Sequence, residues 1–218
     1  MTWIDGQFSL NKQIVKRMVE LGMTPALPSF TGFVPMSVGQ LYPNASAVNG
    51  SQWNGFTRRY TNVTFLEPSD PLFMTLQKSF ISKQTATYGN VSNVYTLDQY
   101  NENDPFSGDL DYLKSVSSGN VASLKAANPS AIWLIQGWLF YSSQDFWTND
   151  RVEAYLGGVN DSDILILDLF SESQPQWQYV CTNSILRSHA DGTGVPTITL
   201  ESLGSGVSSM ITVEIWDC

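Results

Sequence analysis

Four short apolar runs, each followed by polar or aromatic residues and then by a helix-like segment, set the main constraint on the fold. The clearest run is DILILDLF at 163–170, whose almost continuous aliphatic character is typical of a strand buried in a parallel sheet. The other three are MTPALPSF at 23–30, NVYTLD at 93–98 and AIWLIQGW at 131–138. Strands that alternate with helices predict an α/β fold, either a doubly wound sheet or a (β/α)8 barrel.

The segments between these runs carry helix signals. In LNKQIVKRMVELG, Ile14, Met18 and Leu21 recur at helical spacing, and Gly22 is placed to end the helix. A second helix is predicted to begin near SDPLF, where Ser69 or Asp70 is a suitable cap and Pro71 suits the first turn.

Two further helices are predicted, one over about 109–127 and one within DFWTNDRVEAYLGGV at 145–159. The residues from about Thr31 to Ser69 are rich in Asn, Gly and aromatics and have no such periodicity. They are interpreted as one long loop, of the kind that is usually functional or disordered.

Neither G-x-G-x-x-G nor G-x-x-x-x-G-K-[ST] follows any of the four runs, so nucleotide-binding doubly wound folds lose support. The remaining interpretation is a partial (β/α)8 barrel, because about four βα units are half of what a complete barrel needs.

Composition excludes several classes of function. A net charge of −9 with eleven Lys and Arg argues against a nucleic-acid partner, which would require clustered basic residues. No apolar segment reaches the roughly 18 residues of a membrane span. Two cysteines without metal-ligand spacing and a single His189 give no metal site, so no metal is expected.

The compartment is indicated only by glycan acceptor triplets, which begin at Asn44, Asn49, Asn62, Asn90 and Asn160. They favour a secreted or lysosome- or vacuole-like location for a full-length parent protein. The start of the chain has neither the basic residues nor the apolar stretch of a signal peptide, so we expect that the protein is intracellular or that its beginning is missing.

Barrel enzymes carry their chemistry at the carboxyl ends of the strands. At these positions the sequence supplies carboxylates, amides and indoles, the set that binds sugar hydroxyls and the apolar face of a pyranose ring. The side chains are Phe30 and Thr31 after the first strand, Asn101 and Glu102 after the second, Gln136 and Trp138 after the third, and Asp168, Glu172, Ser173 and Gln174 after the fourth. Glycoside cleavage requires two carboxyl groups, one of which donates a proton to the leaving oxygen.

Glu102 is the best candidate for that proton donor. Proximity to apolar Tyr95, Leu97 and Phe106 is expected to desolvate it partly, which raises the pKa of a carboxylate. The alternative is that Glu102 caps the next segment or lies in solvent. Glu172 or Asp168 is a candidate for the second carboxylate, although for Glu172 a structural hydrogen bond that anchors its loop is the favoured interpretation.

Two tryptophans are candidates for sugar contacts. Trp138 lies just past a strand end, so its side chain is expected to reach the loop face rather than the core. Trp53, in GSQWNGF, has neither strand nor helix periodicity around it, and sugar binding and packing are equally compatible with its position.

Taken together and in order, these motifs closely resemble the α-N-acetylglucosaminidases of glycoside hydrolase family 89, over residues 1 to about 178. The resemblance rests on GMTPALPSFTGFVP at 22–35, GSQWNGF at 50–56, DQYNEN at 98–103, AIWLIQGWLF at 131–140 and ILDLFSESQPQW at 166–177. It implies a (β/α)8 barrel that hydrolyses terminal, non-reducing α-linked N-acetylglucosamine with retention of configuration, without a metal or cofactor.

The resemblance also implies roles for individual residues. Glu102 matches the glutamate of the family's Asn-Glu motif, which acts first as general acid and then as base. Trp138 and Trp53 match aromatic positions that line the substrate pocket, and Asn101 and Gln136 are the amides expected to bind the sugar. Asp168 and Glu172 are expected to support the pocket rather than take part in the chemistry.

The end of the chain departs from the family. The family's nucleophilic glutamate lies downstream of the SESQP motif, and no segment of this chain matches it. From Tyr179 onward Ser, Thr and Gly dominate and the βα alternation ends. We therefore expect a partial catalytic barrel over 1–178 and a divergent tail over 179–218, produced by an altered reading frame, a retained intron or a truncated gene model.

Two physical consequences are expected of such a chain. A retaining mechanism needs its second carboxylate about 5 Å from the first, and half a barrel leaves strand edges open. The isolated polypeptide is therefore predicted to be poorly stable and inactive. The alternatives are a carbohydrate-binding pseudoenzyme without turnover, a nonfunctional translation product, or a different hydrolase that uses Glu102 with Glu172.

Overall fold

The computed structural model describes residues 2–53, 55–61, 63–100 and 102–168, together with the backbone of the segments 197–200 and 213–216. The side chains of Arg58, Tyr141 and Asp168 are outside this description. The strands are β1 Leu27–Pro28, β2 Phe33–Val34, β3 Ala47–Asn49, β4 Thr64–Leu66, β5 Val94–Thr96, β6 Ile132–Gln136, β7 Ile164–Asp168, β8 Thr197–Leu200 and β9 Val213–Trp216. The helices are α1 Trp3–Glu20, α2 Val38–Leu41, α3 Arg58–Thr61, α4 Pro71–Tyr88, α5 Leu110–Ala127, α6 Trp138–Ser142 and α7 Asn149–Leu156, with a 3₁₀ turn over Asp161–Asp163.

The main sheet has the strand order β1-β5-β6-β7-β8-β9. All neighbours are parallel except β8 and β9, which are antiparallel. The four apolar runs of the sequence are β1, β5, β6 and β7, which lie side by side. The predicted succession of parallel βα units is therefore confirmed, and among the described residues the sheet does not close on itself.

Local signals fix the ends of the long helices. Helix α1 ends at Glu20 and is terminated by Gly22, which has a φ of +78°. The Gly22 amide bonds to the Val19 carbonyl, and the Met23 amide bonds to the Met18 carbonyl. This is the Schellman arrangement, and the φ value explains why glycine stands there. Helix α4 begins as predicted, since the Asp70 carboxylate accepts from the Leu72 amide at 2.7 Å and Pro71 follows it.

The core lies between the main sheet and the helices α4, α5 and α7. Its largest fully buried side chains include Trp133 of β6 and Tyr155 of α7, whose rings meet edge to face with centroids 5.9 Å apart. Leu97 and Ile135 complete the buried face next to them. Such edge-to-face aromatic pairs fix the docking of a helix on a sheet more tightly than aliphatic contacts alone.

The interpretation of 31–69 as one long loop is wrong. This region contains a small antiparallel sheet of order β2-β4-β3, here called the insert sheet, and two short helices. Its strands have only two or three residues, too few for an alternation of apolar and polar residues to be read from the sequence. The Phe33 and Phe65 rings pack across it at 4.3 Å, and Asp70 Oδ2 accepts from the Ser46 amide at 2.6 Å.

None of the helices in the described part of the chain is both long and apolar enough to cross a membrane.

Candidate active site at the carboxyl ends of the strands

Parallel pairing brings the carboxyl ends of β1, β5, β6 and β7 to one edge of the main sheet. The ladder is continuous up to that edge: the Ser29 amide bonds to the Thr96 carbonyl, Leu97 to Leu134, and Gly137 to Leu167. The loops that follow these strands are therefore neighbours, as the sequence predicted for a barrel.

Trp53 and Glu102 are brought together at this edge. The indole Nε1–H of Trp53 donates to Oε2 of Glu102 at 2.7 Å. The Trp53 ring stacks on Phe56, with centroids 5.5 Å apart and planes 22° apart, and Trp53 remains 40% exposed. A second hydrogen bond joins the loop after β3 to the loop after β5, since the Asp104 amide donates to Ser51 Oγ at 2.9 Å.

The expected desolvation of Glu102 is wrong. Its side chain is exposed, and Phe106 is 62% exposed, whereas Tyr95 and Leu97 are buried on the core side of the sheet. The reason is the turn that follows β5, which carries Glu102 away from the apolar faces of the strand. The environment of Glu102 is instead set by a hydrogen-bond donor, the indole of Trp53.

Gln136 and Trp138 form a second group, at the end of β6. Gln136 is half-buried and Trp138, the first residue of α6, is 38% exposed. Gly137 between them permits the close approach of β7, since a Cβ at this position would lie 3.1 Å from the Leu167 carbonyl oxygen. Trp138 begins the helix that follows the strand end, and its contact with a sugar stays a prediction.

Asp98 belongs to this second group and was missed at the sequence level. Its Oδ1 accepts from the Gln136 amide at 3.1 Å, so the carboxylate extends the β5–β6 ladder beyond its last backbone bond. Burial raises the pKa of Asp98, and the hydrogen bond from Gln136 opposes this effect. Together with Gln136, Trp138 and Leu139 it lines a small cavity of about 10 Å³, close to the space that one water needs. The signal in the sequence was the position of Asp98 at the end of a strand, within DQYNEN.

The other candidates lie wholly or partly outside the described residues. Asn101 and Glu172 are outside them, and Asp168 is described only by its backbone, at the end of β7. The roles assigned to these three therefore stay predictions. Among the described residues no group of three or more His, Cys, Asp or Glu side chains is placed to hold a metal ion.

A run of parallel βα units whose strand ends and following loops lie at one edge of the sheet is the arrangement of a segment of a (β/α)8 barrel. Residues 1–185 match the family model described as the α-N-acetylglucosaminidase (NAGLU) TIM-barrel domain. The chain belongs to this family, and the predicted partial TIM barrel is confirmed.

The similarity extends to known relatives. The chain is 33% identical to human α-N-acetylglucosaminidase over 174 residues, which are 80% of this chain and 23% of the human protein. It also resembles solved structures of a family 89 glycoside hydrolase from Clostridium perfringens at 23% identity, covering 92% of this chain and 21% of that one. The TM-score is 0.68 for its complex with 2-acetamido-1,2-dideoxynojirmycin and 0.69 for its complex with PUGNAc. The same bacterial protein with two glutamates replaced by glutamine has been solved with its substrate GlcNAc-α-1,4-galactose. The chain therefore spans less than a quarter of the length of these relatives.

Proposed function

We propose that this chain is the part of an α-N-acetylglucosaminidase that supplies its proton donor, and that Glu102 is this donor. The single observation that carries the proposal is the Trp53–Glu102 hydrogen bond at the carboxyl edge of the sheet. The proposed reaction is the retaining hydrolysis of terminal, non-reducing α-linked N-acetylglucosamine. In support, the human relative is named α-N-acetylglucosaminidase. No cofactor takes part in it.

We infer different tasks for the two oxygens of Glu102. An indole N–H is a donor only, so Oε2 accepts from Trp53, and we assign the proton transfer to Oε1. In the first step Oε1 donates this proton to the glycosidic oxygen as a second carboxylate attacks the anomeric carbon. In the second step Glu102 removes a proton from the water that cleaves the glycosyl-enzyme bond, and the cycle closes.

The sugar is bound by the other candidates. Trp138 and Trp53 present partly exposed indole faces, which suit the apolar face of a pyranose ring. Gln136 and Asn101 supply amide groups for its hydroxyl and acetamido groups. The partner is a glycan that ends in α-linked N-acetylglucosamine, and the glycan acceptor triplets support a secreted or lysosome-like compartment for the parent protein.

Hydrolysis of p-nitrophenyl α-N-acetylglucosaminide by the longest polypeptide that carries this sequence tests the proposal. Glu102→Gln is expected to lower kcat by about 100-fold or more, the usual contribution of a general acid–base residue. Glu153→Gln is the matched control, because Glu153 is an exposed carboxylate of α7. Equal activity of the two variants would contradict the assignment of Glu102.

Sugar binding without turnover is the second candidate function, favoured by the partly exposed indoles of Trp53 and Trp138. It applies to the 218-residue chain by itself, which we propose lacks the nucleophile. Saturable quenching of tryptophan fluorescence by N-acetylglucosamine, with no release of p-nitrophenol, is the expected result. Release of p-nitrophenol by this chain that is lost in Glu102→Gln would overturn the proposal that it is incomplete.

A further inference from the structure

A buried carboxylate that the proposed chemistry does not use lies just past strand β4 of the insert sheet. Glu67 is 7% exposed, and its Oε1 accepts from the Tyr112 hydroxyl at 2.9 Å. Burial raises the pKa of Glu67, and the hydrogen bond from Tyr112 opposes this effect. A buried carboxylate costs stability unless it is partnered, so its presence here calls for a role that an apolar residue would not fill.

Tyr112 connects Glu67 to the strand that leads to Glu102. It lies in the first turn of α5, where its amide is held by the Asp109 cap at 2.9 Å. The Tyr112 hydroxyl also lies beside the hydroxyl of Tyr100, which is 2% exposed and two residues before Glu102. Burial is the main cause that raises the pKa of both tyrosines, so both hydroxyls remain protonated donors at neutral pH.

Tyr100, Tyr112 and Glu67 therefore form one polar cluster, in which the Tyr112–Glu67 hydrogen bond joins helix α5 to the end of β4. Glu67 and Tyr100 belong to different parts of the fold. Glu67 follows the last strand of the insert sheet, whose β3–α3 connection carries Trp53. Tyr100 precedes Glu102 and packs its ring against Phe65 of β4, with centroids 5.7 Å apart.

We propose that Glu67, Tyr112 and Tyr100 are positioning residues. The Glu67–Tyr112 hydrogen bond and the packing of Tyr100 on Phe65 set the insert sheet against the β5 loop, so that Trp53 meets Glu102. The catalytic part of this proposal rests on the proposed function. Its geometric part concerns the Trp53–Glu102 contact and does not depend on activity. A fully satisfied polar network specifies one arrangement of the packed elements, which interchangeable apolar contacts do not.

The geometric test uses ¹⁹F NMR of protein labelled with 5-fluorotryptophan, with the Trp53 resonance assigned by its loss in Trp53→Phe. Tyr112→Phe is expected to shift or broaden the Trp53 resonance. Tyr95→Phe is the matched control: Tyr95 is 3% exposed and lies on the same strand path, but its hydroxyl contacts Ser92 and Asn128. An unchanged Trp53 resonance in Tyr112→Phe would overturn the proposal.

A milder variant covers the case in which Tyr112→Phe fails to fold. Tyr100→Phe removes the hydroxyl beside Tyr112 and leaves the Tyr112–Glu67 bond intact, so no carboxylate loses its partner. It is expected to displace the same resonance, and Glu67→Gln, which keeps an acceptor, is expected to preserve it. A folded Tyr100→Phe with the wild-type Trp53 resonance would overturn the proposal.

Activity gives the catalytic readout and separates the two proposals. In the longest polypeptide, Tyr100→Phe is expected to lower kcat by about 10-fold or more with KM within about twofold, because misplacing a reacting group slows the chemical step. A displaced Trp53 resonance in a protein without α-N-acetylglucosaminidase activity would support the positioning role of the three residues and contradict the proposed function. A displaced resonance with an unchanged kcat would overturn the catalytic part of the positioning proposal.

Discussion

The indole of Trp53 donates to Oε2 of Glu102 at 2.7 Å, although 49 residues separate them in the chain. Trp53 lies in the connection after β3 of the insert sheet, whereas Glu102 follows strand β5 of the main sheet. Two separate sheets thus contribute to one contact at a carboxylate oxygen. The contact depends on the N–H group of Trp53, whereas stacking on a sugar would depend on its ring.

Replacement of Trp53 separates these two contributions. Trp53→Phe keeps an aromatic face and removes the donor, so it is expected to lower kcat/KM by about 10-fold, the scale of one hydrogen bond to a charged group. Trp53→Ala, which also removes the stacking face, is expected to lose more. Trp3→Phe on α1, where the tryptophan is 78% exposed, serves as the control. Equal activity of Trp53→Phe and wild type would show that the hydrogen bond contributes nothing to turnover.

Asp98 is expected to hold the end of β6 through its acceptor oxygen. Asp98→Ala leaves the Gln136 amide without its partner and is expected to destabilise the protein by about 1–3 kcal/mol. Asp98→Asn retains an acceptor and is expected to cost less. Urea denaturation measures the difference, and hydrogen exchange of the Gln136 amide is expected to be faster in Asp98→Ala only. Identical exchange in both variants would contradict this role.

The pKa values of two carboxylates, Glu67 and Asp98, are expected to make the free energy of unfolding depend on pH. Burial raises the folded-state pKa of Glu67 and of Asp98 above the unfolded values. The folded state therefore binds more protons than the unfolded state in the window above the ordinary carboxylate pKa, so these groups make stability fall as pH rises through the raised pKa values.

Glu67→Gln tests this sign. Urea midpoints measured from pH 4.5 upward are expected to decline with pH less steeply in Glu67→Gln than in wild type, because glutamine does not titrate. Glu153→Gln, at an exposed position of α7, is expected to leave the wild-type slope unchanged. A wild-type slope in Glu67→Gln would show that Glu67 binds protons equally in both states.

Replacement of glycine by alanine is expected to have opposite effects on stability at Gly158 and at Gly6. A Cβ at Gly158 would contact Ser117 Oγ and lie 2.5 Å from the Lys114 carbonyl oxygen, so Gly158→Ala is expected to destabilise by about 1–3 kcal/mol. A Cβ at Gly6 in helix α1 would meet no atom within 4 Å, and Gly6→Ala is expected to stabilise by about 0.5–1 kcal/mol. Thermal denaturation of the two variants gives the comparison, and a shift of the same sign in both would contradict the packing of α5 against the α7 end.

The parallel succession of β1, β5, β6 and β7 in the main sheet was predictable, because each of these strands coincides with an apolar run of the sequence. Two helix ends were also predictable from single residues. Asp70 caps the start of α4, and Gly22 terminates α1. The insert sheet was not predictable, because its strands of two or three residues carry no period. The position of Glu102 in the loop after β5 was predicted correctly, whereas its exposure and its partner Trp53 depend on the insert sheet. The Glu67–Tyr112 bond joins residues 45 apart in sequence, a separation at which no sequence pattern indicates a contact.

Azide rescue of Glu102→Ala, in the longest polypeptide that carries this sequence, tests directly whether Glu102 is the general acid–base residue. Azide is already an anion and needs no general base, so it can replace the water that Glu102 activates in the second step. Glu102→Ala is expected to hydrolyse p-nitrophenyl α-N-acetylglucosaminide very slowly, and azide is expected to restore turnover with formation of the α-glycosyl azide. Hydrolysis at the wild-type rate without azide, or a defect that azide does not relieve, would contradict the assignment of Glu102 as the general acid–base residue.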